Sequence, residues 1–225
     1  GDATHRAGAL LHLDAVQAAG KLPLALADLP VDYASISGHK FHGPKGIGAL
    51  YVRGEAFHPL LHGGPQESER RAGTENVPAI VGLGEAAALG QAYTTSPEAM
   101  AITTARRDRL EVALLAALAG TRVAGAGAKR VGTATCIEFP GVDGEAALLM
   151  LSHMQIAVST GSACGSTHHA PSHVLLAMGR TEDEASSSLR FSLSRETTDA
   201  EVDLAISAVP VVIEALRSLS AGIEG

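Results

Sequence analysis

The densest chemistry in the sequence lies in Ser35-Ile-Ser-Gly-His-Lys-Phe-His-Gly-Pro-Lys-Gly46, which holds two of the chain's four lysines, two histidines and three glycines. A lysine at a strand end, beside glycines and hydroxyls, is either a solvated turn residue or a Schiff-base lysine. A lysine amine is protonated at neutral pH, so the second use needs desolvation or a neighbouring cation. His39 and the glycines around Lys40 offer that setting. The hydroxyls of Ser35 and Ser37, with nearby backbone N–H groups, can hold a phosphate. Asp14 closes another apolar run, 26 residues before Lys40. It either caps a short helix over 15–20 or serves the same ligand as Lys40, because open α/β sheets bind ligands at the carboxyl ends of their strands.

A second reactive group is Cys164, in Thr160-Gly-Ser-Ala-Cys-Gly-Ser-Thr-His-His-Ala-Pro171. Free cysteines are usually buried, and one in a glycine- and serine-rich loop reads instead as a reactive thiol. A nearby His168, His169 or substrate cation would favour its thiolate. Cys136, in Thr135-Cys-Ile-Glu-Phe139, lies in a strand among apolar neighbours and reads as structural. Cys164 with His168, His169 and His173 does not match a zinc-ligand spacing, so no metal site is expected. Arg190, in Ser188-Leu-Arg-Phe-Ser192, is either a surface ion pair or a two-pronged grip on a carboxylate.

These residues need an α/β frame. Strands are expected over 9–14, 31–37 and 46–52, near-continuous apolar runs suited to a sheet interior. A helix is expected over 78–93, with Pro78 at its start. Thr94-Thr-Ser-Pro97 marks a boundary, so that 1–96 and 97–225 form separate domains. The second pattern is helix 97–118, strand 133–139, helix 144–154 capped by Asp143, strand 155–159, helix 172–178, strand 187–193 and helix 200–219 capped by Asp199. Pro210 should kink or split that last helix. The 225 residues are 46% hydrophobic, which excludes a disordered chain. A net charge of −7 with no basic run argues against direct nucleic-acid binding. No apolar run reaches membrane-spanning length. Two cysteines make no disulfide framework, and a cytoplasmic setting is expected. The chain opens at Gly1 rather than Met, as if cut from something longer.

Four segments together resemble the cysteine desulfurases of the IscS/NifS group: His12-Leu-Asp-Ala-Val-Gln17, Ser37-Gly-His-Lys-Phe-His-Gly-Pro-Lys-Gly46, Arg70-Arg-Ala-Gly-Thr-Glu-Asn76 and Ser159-Thr-Gly-Ser-Ala-Cys164. The resemblance implies an α/β fold. By that resemblance it would be the C-terminal part of a fold-type I pyridoxal-phosphate transferase: a partial, mostly parallel sheet of the large domain, then an α+β small domain. It implies pyridoxal 5'-phosphate as cofactor, an electron sink whose ring nitrogen pairs with an acid. Lys40 would carry it, Asp14 face the ring nitrogen, Gln17 the ring hydroxyl, and Ser37 and His39 the phosphate. Thr74 would reach the phosphate of a second subunit, implying a homodimer. Arg190, rather than Arg195, would bind the substrate carboxylate.

L-cysteine would become alanine, with its sulfur left as a persulfide on Cys164, on a mobile loop at about 159–171, for a sulfur-acceptor protein. Iron–sulfur assembly, tRNA thiolation and DNA phosphorothioation all draw on such enzymes. Another fold-type I enzyme, an aminotransferase or selenocysteine lyase, would share Lys40 and Asp14. An inactive fragment serving as an interaction module would bind no cofactor. The family's earlier part, with its ring-stacking histidine and a phosphate-binding turn, has no counterpart in this sequence.

Overall fold

A computed structural model of the chain describes residues 1–54, 58–161 and 170–223, the last three without their side chains. They fall into two compact units, Gly1–Pro97 and Glu98–Gly225, and each is described by itself.

The first unit opens with a short helix, α1 (Asp2–Arg6), and builds a three-stranded sheet of β1 (His12–Asp14), β2 (Tyr33–Ser37) and β3 (Gly48–Val52), covered by α2 (Val77–Thr94). β1 and β2 run parallel, with Asp14 opposite Ser35, whereas β2 and β3 run antiparallel, with Ser37 opposite Gly48. The sheet is thus mixed rather than mostly parallel. Only residues 38–47 join β2 to β3, and a parallel crossover needs a dozen or more.

Strand alternation puts His12, Asp14, Tyr33, Ser35 and Ser37 on one face, and Leu13, Ala34 and Ile36 on the other. On the apolar side Ile36 and Leu83 pack on a small cluster of Ala19, Phe41 and Ala86. Gly20 is required here: its φ is +69°, and a Cβ there would meet Phe41 Cβ at 2.5 Å. Arg53 staples the segment that leads into β2. Its guanidinium donates to the carbonyls of Leu26, Ala27, Leu29 and Val31 at 2.6–3.1 Å.

In the second unit, four antiparallel strands lie in the order β4 (Arg122–Val123), β5 (Ala134–Glu138), β7 (Ser188–Ser192), β6 (Ser159–Thr160). Five helices accompany them: α3 (Pro97–Ala117), α4 (Gly144–His153), α5 (His173–Ala177), α6 (Glu182–Ser186) and α7 (Asp199–Ile223). One sheet face supplies Val123, Ile137, Leu189 and Phe191 to a core completed by Leu110 and Leu114 of α3, Ala147 and Leu151 of α4, and Val209, Val212 and Ile213 of α7. Phe139 and Phe191 meet edge to face, 6.5 Å apart. The other sheet face carries Cys136, Glu138, Ser188 and Arg190.

Several expectations shift. β6 falls at Ser159–Thr160, not 155–159, after a turn in which Gln155 takes a φ of +65°. α7 runs unbroken through Pro210. Its first turn is capped by Thr198 rather than Asp199: Glu201 N–H donates to Thr198 Oγ1, while the Glu201 carboxylate accepts from Thr198 N–H. Asp199 instead pairs with Arg106 at 2.9 Å. α6 was not expected; it starts at a reciprocal capping box of Thr181 and Glu184. Among the described residues, no helix is long and apolar enough to cross a membrane.

Candidate active site

The first unit brings the lysine segment and Asp14 to the same end of the same sheet. β2 ends at Ser37, and the chain turns at once into a 3-10 helix, Gly38–Phe41, that carries His39 and Lys40. The turn closes through Gly43 N–H on the Gly38 carbonyl at 2.9 Å, with His42 left-handed at φ 73°. Phe41, buried in the small core, anchors the turn from below, which leaves His39 and Lys40 exposed above it. Among the described residues, Lys40 Nζ has no hydrogen bond or ion pair.

Ser37 Oγ and His39 Nδ1 lie 2.9 Å apart. Ser35 sits one pleat back and is held by His12 Nε2 at 2.7 Å, so Ser37, not Ser35, is the hydroxyl at the strand end. Asp14 makes a local contact of the kind a cap makes, over a turn and not the expected helix at 15–20. Its Oδ1 accepts the Val16 N–H at 3.0 Å, a local turn contact, while Oδ2 stays free among the described residues, on the face shared with Ser35 and Ser37. Gln17, exposed just beyond, accepts Lys21 Nζ on its Oε1, which leaves its amide N–H₂ to donate.

Thr74 is exposed in the loop between β3 and α2. Asn76 of the same loop caps α2, with its Oδ1 accepting Ala79 N–H at 3.2 Å. The motif therefore does contain the capping contact expected of an ordinary polar loop, but Arg70, Arg71 and Thr74 take no part in it.

In the second unit, Arg190 is exposed on the polar face of β7, opposite Cys136 on β5 and Ser159 on β6. Its guanidinium donates to Ser159 Oγ at 3.3 Å. Arg195 pairs with Glu196 at 2.9 Å. Cys136 is not a core residue: half-buried, it faces the same side as Glu138 and Arg190. Burial, with the Glu138 charge, pushes its thiol up, against the weaker opposing pull of Arg190 and Ser188. Cys164, His168 and His169 lie outside the described residues. His173 is exposed on α5.

Sequence reasoning missed the most buried charge of this unit. Glu138 is 0% exposed and is bonded by Arg180. Its one signal was a carboxylate inside an otherwise strand-like run.

Residues 1–204 match the family described as aminotransferase class-V. A cysteine desulfurase of Trichormus azollae is 51% identical over 214 residues, which cover 95% of this chain and 53% of that protein. Among solved structures, a NifS-like protein from Rickettsia africae superposes with a TM-score of 0.83 at 33% identity, over 95% of this chain and 56% of that one. SspA in complex with cysteine superposes with a TM-score of 0.65 at 32% identity, over 88% and 54%. The chain spans about half the length of the curated relatives it matches. Class-V aminotransferases, cysteine desulfurases among them, are pyridoxal phosphate enzymes, and the neighbours are NifS-like fold-type I structures of mixed α/β build. With the family matched over most of its length, this chain belongs to the class-V aminotransferases.

Proposed function

We propose that the chain carries the lysine and cysteine machinery of a cysteine desulfurase, which converts L-cysteine to alanine and passes its sulfur through Cys164. The observation that carries this reading is the convergence of Asp14, Ser37, His39 and Lys40 at one strand-end edge, with the side chains a phosphorylated pyridine needs. The free Asp14 Oδ2 suits the ring nitrogen, the Gln17 amide the ring hydroxyl, the Ser37–His39 pair the phosphate, and the exposed Lys40 amine the aldehyde carbon. Pyridoxal phosphate, when bound, supplies an electron sink for the substrate's α-carbon.

The chain's own residues do the rest. Lys40 Nζ takes the proton from the α-carbon and returns one later. Arg190 grips the substrate carboxylate with two parallel N–H groups. The Cys164 thiolate attacks the substrate sulfur, so that an S–S bond forms as the C–S bond breaks. The electron pair goes to the β-carbon, which gains a proton to give alanine. SspA, a relative of similar fold, is solved with cysteine, which favours that substrate over an amino donor without sulfur. Thr74, exposed and without a side-chain partner among the described residues, would serve the phosphate of a second copy, making a homodimer. A cytoplasmic sulfur-acceptor protein, for iron–sulfur assembly, tRNA thiolation or DNA phosphorothioation, completes the reading.

The test is an absorption spectrum of the purified chain, loaded with pyridoxal phosphate, before and after L-cysteine. A band that shifts with cysteine, alanine release and a persulfide mapped to Cys164 are expected. Alanine release that survives Cys164→Ser unchanged would instead support a different fold-type I reaction. A protein that takes up no cofactor would overturn activity in this chain.

A further inference from the structure

A hydroxyl that the proposed chemistry does not use stands beside an acid that it does use. β1 and β2 pair in parallel, with Asp14 directly opposite Ser35, and the two side chains share one face of the sheet. Neighbouring strands lie about 5 Å apart, so a turn about the Ser35 Cα–Cβ bond, to another staggered rotamer, can bring its hydroxyl to the Asp14 carboxylate. In the structure that hydroxyl is engaged elsewhere: Ser35 Oγ lies 2.7 Å from His12 Nε2.

His12 lies on the same face, two residues before Asp14 on β1 and opposite Tyr33. Its ring is exposed, and Ser35 is half-buried. Asp14 spends Oδ1 on the Val16 N–H at 3.0 Å, and among the described residues Oδ2 is open. A carboxylate oxygen attracts a nearby hydroxyl more strongly than a neutral acceptor does, because hydrogen bonds to charged groups are the stronger ones. The observed alternative, hydroxyl on imidazole, therefore depends on His12. When Ser35 donates to Nε2, its one O–H is spent there, and Oδ2 is left for a cationic N–H donor.

We propose that His12 is a positioning residue: by accepting the Ser35 hydroxyl proton on Nε2, it withholds Ser35 from Asp14 and keeps Oδ2 open to the protonated ring nitrogen of pyridoxal phosphate. This rests on the reading of Asp14 as the partner of that nitrogen. His12 acts through Ser35 and Asp14, not on the cofactor itself. The sign of the effect is specific. In a supporting chain of hydrogen bonds Ser35 would be needed by Asp14, whereas here Ser35 is a competitor that His12 holds off, so removing Ser35 should cancel the loss of His12.

The experiment measures, by absorbance, the dissociation constant of pyridoxal 5'-phosphate with the cofactor-stripped chain, beside that of its deaza analogue, in which C–H replaces the ring nitrogen. His12→Ala should weaken pyridoxal phosphate about tenfold, the scale of one charge-assisted hydrogen bond. Ser35→Ala should stay within about twofold of the unmodified chain, and so should His12→Ala/Ser35→Ala, the pair being coupled rather than additive. The deaza analogue has no ring N–H to place, so all four chains should bind it equally well. If His12→Ala does not fold, His12→Phe, which keeps a ring without an acceptor, takes its place in the same comparisons. A loss in Ser35→Ala as large as that in His12→Ala would make Ser35 a support of Asp14 and overturn the proposal. A double variant as weak as His12→Ala, an equal loss with the deaza analogue, or no loss in His12→Ala would overturn it too, and each leaves the functional reading standing. An unmodified chain that takes up no pyridoxal phosphate, or an Asp14→Asn chain that binds it as tightly as the unmodified one, would overturn the reading on which this proposal rests, and the proposal with it.

Discussion

The polar face of the first sheet is open where that of the second is partly closed. His12, Asp14 and Lys40 are exposed at the end of β1 and β2, over a core of only a few small or aromatic side chains. On the second sheet, Glu138 and Ser188 are fully buried, and the opposite face rests on a core that runs through α3, α4 and α7. In the first unit the Lys40 amine and Asp14 Oδ2 have no partner among the described residues, whereas in the second Glu138 is already paired with Arg180. Function and stability are therefore separable: groups free to bind a ligand contribute little to folding, and the groups that hold the fold are the ones already committed.

The sharpest break in that comparison is Lys40→Ala. Loss of the amine should lower turnover about 10²–10⁴-fold, the usual worth of a positioned proton-transfer group. Because Lys40 is exposed and unpaired among the described residues, stability should move by less than about 0.5 kcal/mol. Steady-state alanine release and a urea melt of the same preparation check both halves, and a stability loss of several kcal/mol would show that the lysine also serves the fold.

A buried phenylalanine from each unit comes next. Phe139→Ala, at a fully buried site of the second unit, should cost about 3–5 kcal/mol. Phe41→Ala should cost less, because its cluster is small, yet should impair cofactor uptake more, since Phe41 anchors the turn that carries Lys40. Denaturation followed by limited proteolysis separates the two units. A Phe139→Ala protein that loses cofactor as readily as Phe41→Ala would break the distinction.

Arg53→Ala tests a smaller stake in the first unit. Removing a guanidinium that serves four carbonyls should cost about 1–3 kcal/mol. The loss should appear as faster proteolytic cutting within 25–31.

How much of this was legible depended on distance along the chain. Asp14 and Lys40 could be placed because each ends a continuous apolar run, and local hydrophobicity marks a buried strand. The cap at Asp143 was legible from an equally local signal, an acid just before a helical run. Glu138 was not, because its partners Arg122 and Arg180 come from other elements and only the folded sheet brings them together. Cys136 looked apolar from its sequence neighbours, yet alternation turns its side chain away from them. Thr198 was displaced by Asp199 as the expected cap through a one-residue error, the ordinary uncertainty of a helix boundary.

Acid should distinguish the units more gently. Burial pushes the Glu111 carboxyl up, but Arg130, the Thr135 hydroxyl and Arg107 outweigh it, and the net effect is downward. Glu184 is lowered by the Thr181 N–H and Arg122, Asp199 by Arg106, and Glu201 by Thr198. In the first unit, Asp32 is lowered by the Leu11 N–H and His5. A lowered carboxyl stabilises the fold above its unfolded pKa, near 4, and that contribution is lost as pH falls through the folded value. Stability should therefore hold from neutral pH down to about 5 and decline below about 4, with more of the loss in the second unit. Hydrogen exchange at graded pH reads the two units separately.

The smallest effect concerns the two thiols. Burial and the Glu138 charge keep Cys136 protonated at neutral pH, and the thiolate is the form that reacts. Iodoacetamide at about pH 7.5 should therefore label Cys164 before Cys136, and raising the pH should narrow the gap as Cys136 ionises. Glu138→Gln sharpens the point. It removes the charge that helps raise the Cys136 thiol while leaving most of the burial, so Cys136 labelling should quicken only modestly. A large acceleration would mean that Glu138 holds the polar face closed as well as charged. Labelling of Cys136 as fast as that of Cys164 in the unmodified protein would overturn the expectation that Cys164 is the reactive thiol.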